Sequence, residues 1–289
     1  MKLSKLMYPG SKWRKYLAMW EDETLRPFLP ETARFTRTAF LSMISRHPSV
    51  YLKPDMGGGG YGIMRVRPAD RGWLLEKPNA IVRFHNRELI YRYLAHKLNR
   101  KTYIVQQGVD LIRLRDRPMD FRCLFYKKDG GWQYAGCMGK VAAPRKWTTN
   151  LCQGGHAITF EEAMTSSLEM PPEEIEHLRE EMQQVALSSV FALERVFPRL
   201  CQVGLDIGID AEKQIRIIEA NSRPRFELFR AHEDGTLYQR IRRDLLRLRR
   251  LYPLRRSLRA RRRRTGNASR TPRRAAIANR TGRGKSKRA

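Results

Sequence analysis

Two short stretches near the middle of the chain carry acidic or amide side chains at a spacing of two: Gly204-Leu205-Asp206-Ile207-Gly208-Ile209-Asp210 and Ile217-Ile218-Glu219-Ala220-Asn221. Both read as β-strands, and in a strand residues i and i+2 share a face. Glu219 and Asn221 therefore project together, and Asp206 can join them from a paired strand. Three hard oxygen donors around one point suit Mg²⁺, which takes a few protein oxygens together with waters and phosphates. On the first stretch Val203, Leu205, Ile207 and Ile209 make one apolar face. Gly204 and Gly208 leave room beside Asp206 on the other. On the second, strict alternation places Ile215 and Ile217 on the face of Glu219 and Asn221. Scattered acids usually mean a solvated sheet face. A Glu and an Asn that continue a buried stripe need partners, and a metal supplies one.

Earlier in the chain, Gly57, Gly58, Gly59, Gly60 and Gly62 form a glycine loop. It contains the GxGxxG spacing, but a dinucleotide fingerprint needs a helix after the loop. Ile63 to Arg67 instead reads as a strand, so the loop is expected to be a hairpin flap. Such a flap lets backbone N–H groups approach phosphate oxygens closely; the plainer reading is a flexible hairpin tip. A protein kinase carries its lysine on the strand after the flap, with HRD and DFG motifs downstream. Here Lys53 precedes the flap and neither motif is present. Asp120 and Arg122 share a strand face, either as a structural ion pair or as groups that position a nucleotide and bind a phosphoryl or carboxylate group. Thr148 to Gly155 is a polar loop ending in two glycines, with Lys140 as a cation before it.

The elements that must position these residues follow from periodicity and breakers. Residues 1 to 35 are polar and aromatic, with Pro27 and Pro30 interrupting any long element. Helices are expected over 36–47, 86–98 (Leu89, Ile90, Tyr93, Leu94 and Leu98 on one side), 171–196 and 238–250. Strands are expected over 49–53, 63–67 and 103–107, with a hairpin from Phe121 to Lys140 turned at Asp129-Gly130-Gly131. The mixed order implies α+β or α/β. Of the 289 residues, 41% are hydrophobic, enough for a real core, while the net charge is +29. Residues 251–289 hold 15 Lys or Arg and no Asp or Glu, about half of that excess. This tail has too few apolar residues to fold, so a disordered basic arm that attracts polyanions is expected, nucleic acid or an acidic surface among them. The four cysteines form no CxxC pair and the six histidines no metal-binding spacing, so no zinc site is expected. No signal peptide and no transmembrane segment are visible, and reduced thiols in a cytoplasmic protein are the expectation.

The order of Leu52-Lys53-Pro54, the glycine flap, Val105-Gln106-Gln107, Asp120-Phe121-Arg122, Thr149-Asn150-Leu151, Gly154-Gly155, Leu205-Asp206 and Glu219-x-Asn221 resembles the ATP-grasp superfamily. Within it the likeness is to the YheC/YheD group of endospore coat-associated proteins, from about Leu29 to Pro224. The resemblance implies an α+β ATP-grasp fold in which two subdomains grip ATP. It implies an N-terminal extension over 1–28, an ATP-grasp domain over 29–238, and a basic helix with an Arg-rich tail over 239–289. Too few residues precede the first strand for the usual N-terminal α/β domain. Carried over, Lys53 and the loop of Gly57, Gly58, Gly59, Gly60 and Gly62 contact ATP phosphates, and Gln106, Gln107 and the Gly108 backbone meet the adenine. Asp120 and Asn150 bind the nucleotide, Arg122 and Lys140 act on the transferring phosphoryl group, and Asp206, Glu219 and Asn221 hold Mg²⁺ (or Mn²⁺). The implied activity is a carboxylate–amine ligase acting through an acyl-phosphate, with the acid and amine unspecified. The alternatives are a nucleotide-binding structural coat protein, cytoplasmic or spore coat-associated, and a polyanion-binding protein acting through its tail.

Overall fold

The structure is a computed structural model and describes residues 10–99, 101–151 and 154–251. The chain opens with helix α1 (Lys12–Trp20) and a 3₁₀ turn (Glu23–Phe28). Strand β1 (Thr32–Arg34), helix α2 (Arg37–Arg46) and strands β2 (Val50–Pro54), β3 (Met64–Pro68), β4 (Trp73–Lys77) and β5 (Ala80–Phe84) follow. Helix α3 (Arg87–Leu98) leads to β6 (Tyr103–Gln107). These strands form one antiparallel sheet in the order β1-β6-β2-β3-β4-β5. Its alternation is visible in β2, where Val50 and Leu52 are buried, and in β3, where Met64 and Val66 are. Phe40, Met43 and Ile44 of α2 and Ile90, Leu94 and Leu98 of α3 cover that face.

The second half builds a second sheet. Strands β7 (Arg113–Leu114), β8 (Arg117–Lys128), β9 (Gly131–Val141) and β10 (His156–Ile158) precede helices α4 (Phe160–Leu168) and α5 (Pro172–Val196). Strands β11 (Gln202–Ile209) and β12 (Ile215–Asn221), a 3₁₀ turn (Glu227–Ala231) and helix α6 (Gly235–Leu251) complete it. The order is β10-β9-β8-β11-β12, with β7 on β8. Along β8, Met119, Phe121, Cys123 and Phe125 join the core formed with α1, α4 and α5. The opposite face changes character along its length. Leu124 and Tyr126 are packed beneath Leu237, Ile241, Leu245 and Leu248 of α6, whereas Arg122 and Asp120, two and four residues before Leu124 in the same strand, line the cavity. One face of one strand thus carries both a packed end and a polar end.

The structure departs from the sequence expectations in four places. Residues 10–35 hold a helix and a strand that the sequence reading did not single out: Ser11 caps α1 by accepting from Arg14 N (3.1 Å), and the Asp55 carboxylate accepts from Trp13 N (2.9 Å) and the Ser11 hydroxyl (2.8 Å). A carboxylate at a helix N-terminus satisfies free N–H groups and the helix dipole together. Tyr16, Ala18, Met19 and Leu25 belong to the same core as β8 and β11, so no break in packing falls at residue 28, and α6 packs on the sheet across the boundary expected at 238. The β4–β5 hairpin was not expected; its outer strand is largely exposed and shows little alternation. On α3 the buried stripe is Ile90, Leu94 and Leu98, while Leu89 is 42% exposed. Finally, β12 does not alternate strictly. The register passes from Asp206↔Glu219 to Ile207↔Ile217, so Ile218 is an extra residue. This β-bulge returns Ile215, Ile217 and Ala220 to the core while Ile218, Glu219 and Asn221 face the cavity. The expected arm over 251–289 lies outside the described residues from 252 onward. Among the described residues no helix is long and apolar enough to cross a membrane.

If α1 is part of the core, Met19→Ala will destabilise the protein by ~2–5 kcal/mol, as for a buried Met, whereas Leu89→Ala will change stability by less than about 0.5 kcal/mol. Urea denaturation of the two variants checks this; equal, small effects would make α1 a mere appendage.

Candidate functional site

A cavity of about 630 Å³ lies between the two sheets. From the first sheet come Lys53 of β2, the flap glycines Gly57, Gly58, Gly59 and Gly60, and Gln106 and Gln107 of β6. From the second come Asp120 and Arg122 of β8, Lys140 of β9, Asn150 of the following loop, Asp206 of β11 and Glu219 and Asn221 of β12. The fold thus brings together nearly every residue singled out in the sequence, although they span positions 53 to 221. Gly62 and Gly108 do not line the cavity. Gly62 sits at the flap's base, with φ +76° and its carbonyl accepting from the Tyr103 hydroxyl (3.2 Å). Gly108 N donates to Ser49 O (2.8 Å).

The second sheet is organised around one carboxylate. Asp206 accepts from Arg122 Nε (2.7 Å) and Arg122 Nη2 (3.0 Å), from Lys140 Nζ (2.7 Å) and from Asn221 Nδ2 (2.9 Å). Burial alone would push its acid upward, but Arg122 and Lys140 outweigh that and hold it well below the usual carboxylate range. The side chains meet because the strands are in register: Asp206 lies opposite Arg122 on one side and Glu219 on the other, and Asp120 lies opposite Lys140. Gly204 supports this. A Cβ there would lie 2.9 Å from the Arg122 side chain and 2.5 Å from Pro224.

Asp120 is in a different state. Its Oδ2 accepts from the Thr149 hydroxyl (2.6 Å). Its Oδ1 lies 2.8 Å from Lys140 Nζ but accepts no well-formed hydrogen bond. Burial pushes its pKa up, against the pull of Lys140. Lys140 itself is raised: burial opposes its charge, and Asp120 and Asp206 overcome that. On the first sheet Lys53 Nζ donates to Gln106 Oε1, and burial lowers its pKa. Gln106 Nε2 donates to Thr32 (3.0 Å), and Gln107 Oε1 accepts from Glu31 N (3.1 Å). These amides, expected at the adenine, are used to attach β1, which makes β6 an interior strand.

Two cations escaped the sequence reading. Lys12 and Lys15 of α1 are 8% and 5% exposed. Lys12 Nζ donates to the flap carbonyl Gly57 O (2.8 Å) and lies 3.4 Å from Glu219. Lys15 donates to Ala220 O, between Glu219 and Asn221, and burial lowers its pKa to about 8. The available signal was their spacing of three, which puts two lysines on one helix face. Tyr51 and Trp147, ring centroids 5.5 Å apart, supply an aromatic wall that was also missed.

Four largely buried cations (Lys12, Lys53, Arg122 and Lys140) thus line the cavity with three carboxylates (Asp120, Asp206 and Glu219), and Lys15 is buried in a smaller pocket beside Glu219. A buried surplus of positive charge is costly unless an anion compensates it. The flap adds backbone in conformations suited to glycine, with φ +120°, +75° and +73° at Gly57, Gly59 and Gly60. A polyphosphate fits these groups. For a cation the fit is narrower. Among the described residues no group of three or more His, Cys, Asp or Glu could hold a metal ion. Both oxygens of Asp206 are already taken, leaving the Glu219 carboxylate and the Asn221 amide oxygen. Two protein oxygens completed by phosphates and waters are an ordinary Mg²⁺ shell.

Replacing Asp206 by Asn keeps its shape but leaves Arg122 without its carboxylate and Lys140 with Asp120 alone. We expect a loss of ~3–5 kcal/mol, and a far smaller effect on disrupting the exposed, solvent-screened Arg37–Glu88 pair (2.9 Å) with Glu88→Gln. Urea unfolding midpoints of the two variants measure the difference.

The Bacillus subtilis (strain 168) endospore coat-associated protein YheD is 27% identical to the chain over 228 residues, covering 76% of this chain and 49% of YheD. YheC from the same organism is 22% identical over 225 residues, covering 74% of this chain and 59% of YheC. The chain therefore spans about half the length of these relatives. Among solved structures, D-cycloserine synthetase DcsG matches with a TM-score of 0.50 at 15% identity, over 82% of this chain and 70% of that one, a likeness of fold. Residues 7–250 match the family described as YheC/D like ATP-grasp. The match takes in α1 and α6 as well as both sheets, and the chain belongs to that family.

Proposed function

We propose that the chain is a Mg-ATP-binding ATP-grasp protein that joins a carboxylate to an amine. The observation that carries this reading is the buried cation surplus beneath a glycine flap. Lys12 and Lys53 reach the cavity from the first half of the chain and Arg122 and Lys140 from the second, so phosphates bound between the sheets would be gripped from both sides. ATP supplies a phosphoryl group that converts an unreactive carboxylate into an acyl-phosphate, from which an amine displaces phosphate. The protein's own part is electrostatic. Arg122 and Lys140, fixed by Asp206, are oriented before any ligand arrives, and such preorganised charge is what lowers barriers in phosphoryl transfer. Glu219 and Asn221 are the residues we assign to Mg²⁺ (or Mn²⁺). Asp206 acts behind them, holding Asn221 through its amide nitrogen. Tyr51, Trp147, Val109 and Leu111 offer apolar surface for the base.

A second reading is nucleotide binding without turnover, favoured by the complete occupation of Asp206, which leaves only two protein oxygens for the metal. The names of YheD and YheC support association with a spore coat in either case.

Isothermal titration of ATP with and without Mg²⁺ tests the proposal. Wild type should bind, and Mg²⁺ should tighten binding. Glu219→Ala should abolish the Mg²⁺ enhancement, and Lys12→Ala should weaken ATP binding by about 1–3 kcal/mol, as expected for a charged hydrogen bond. No ATP binding by wild type would refute the nucleotide site. Binding with no ADP formed across a panel of amino acids would select the second reading.

A further inference from the structure

Helix α6 has two faces of opposite character. Leu237, Ile241, Leu245 and Leu248 are buried against Leu124, Tyr126, Phe226 and Phe229 of the second sheet and its 3₁₀ turn. Over the rest of its surface the helix carries six arginines and one acid, Asp244. That acid is already occupied: Tyr126 Oη donates to it (3.0 Å), as do Lys128 Nζ (3.3 Å) and Arg243 Nε (3.3 Å). Arg240, Arg243, Arg247 and Arg250 are exposed and recur every three or four residues. They therefore form a single row along the helix, about 15 Å long at 1.5 Å per residue. Arg240, Arg247 and Arg250 make no ion pair among the described residues.

Closely spaced like charges on a helix repel modestly, a cost that a bound polyanion would relieve. A bilayer is a poor match: a surface helix binds lipid by inserting its apolar face, and here that face is the one packed on the sheet. Guanidinium groups present planar forks that match phosphate oxygens. A straight, rigidly backed row of them suits a polymer whose phosphates repeat regularly. We propose that the outer face of α6 is a sequence-independent nucleic-acid contact, reading the phosphate backbone of a duplex and no base. Phosphate contacts of this kind fix orientation without specifying sequence. The surface lies on the opposite side of α6 from its packing with the sheet, and the inference stands apart from the nucleotide reading of the cavity.

The test is fluorescence anisotropy of the full chain with a labelled duplex of about 20 base pairs and random sequence, titrated with salt. The comparison is R240Q/R243Q/R247Q/R250Q, with R261Q/R262Q/R263Q/R264Q in the basic tail as a control of equal charge. Because the four helix arginines are exposed, thermal unfolding followed by circular dichroism should be unchanged. The helix variant should weaken binding at least about tenfold, and the magnitude of the slope of log K against log salt should fall by about 3.6, near 0.9 for each of the four phosphates no longer neutralised. The proposal is overturned if only the tail variant lowers the slope. It is also overturned if polyglutamate or anionic phosphatidylserine vesicles lose binding to the helix variant while the duplex does not.

Discussion

Three of the side chains that the second sheet turns to the cavity are held by the Asp206 carboxylate. It joins Arg122 of β8, Lys140 of β9 and Asn221 of β12, strands aligned by the pairing of β9 with β8, of β8 with β11 and of β11 with β12. Four hydrogen bonds on two oxygens satisfy a charge that could not otherwise be buried. The arrangement also fixes which groups stay available. Arg122 and Lys140 are aimed and charged before a ligand enters. Asp120, beside them, keeps one oxygen without a well-formed hydrogen bond. The better-satisfied carboxylate supports the scaffold, and the less satisfied one is left facing the cavity.

The first sheet contributes differently. Its cations reach the cavity through Lys53 on a strand and Lys12 on α1, with Lys15 one turn further along α1, and all three are buried. Lys12 and Lys15 touch β12 or its side chains, so the N-terminal helix links the two sheets across the cavity. What would be a peripheral helix by sequence position is an interior one by charge.

Most of the site was legible in the sequence because its residues sit on strands, where a period of two decides the face. Asp120 with Arg122, and Glu219 with Asn221, needed only that rule. The failures have identifiable causes. The bulge at Ile218 breaks the period, and a single unpaired residue cannot be seen in a run of isoleucines. β1 has three residues and no signature. Without it, β6 reads as an edge with Gln106, Gln107 and Gly108 free for an adenine, whereas β1 and Ser49 take their hydrogen-bonding groups. α1 was hidden because its lysines are buried, and a buried lysine looks in sequence like a surface one. The long helices, the central hairpin and the flap were legible because each has a strong periodic or turn signal.

The bond from Lys12 to Gly57 O has a mechanical consequence. The N-terminus of α1 is fastened to Asp55 at the flap's stem through Ser11 and Trp13, and to the flap itself through Lys12. Helix and flap are therefore tethered at two points only two residues apart in the flap. The flap cannot swing open without either releasing that leash or dragging the first turn of the helix with it. Its travel is limited by the length of one lysine side chain.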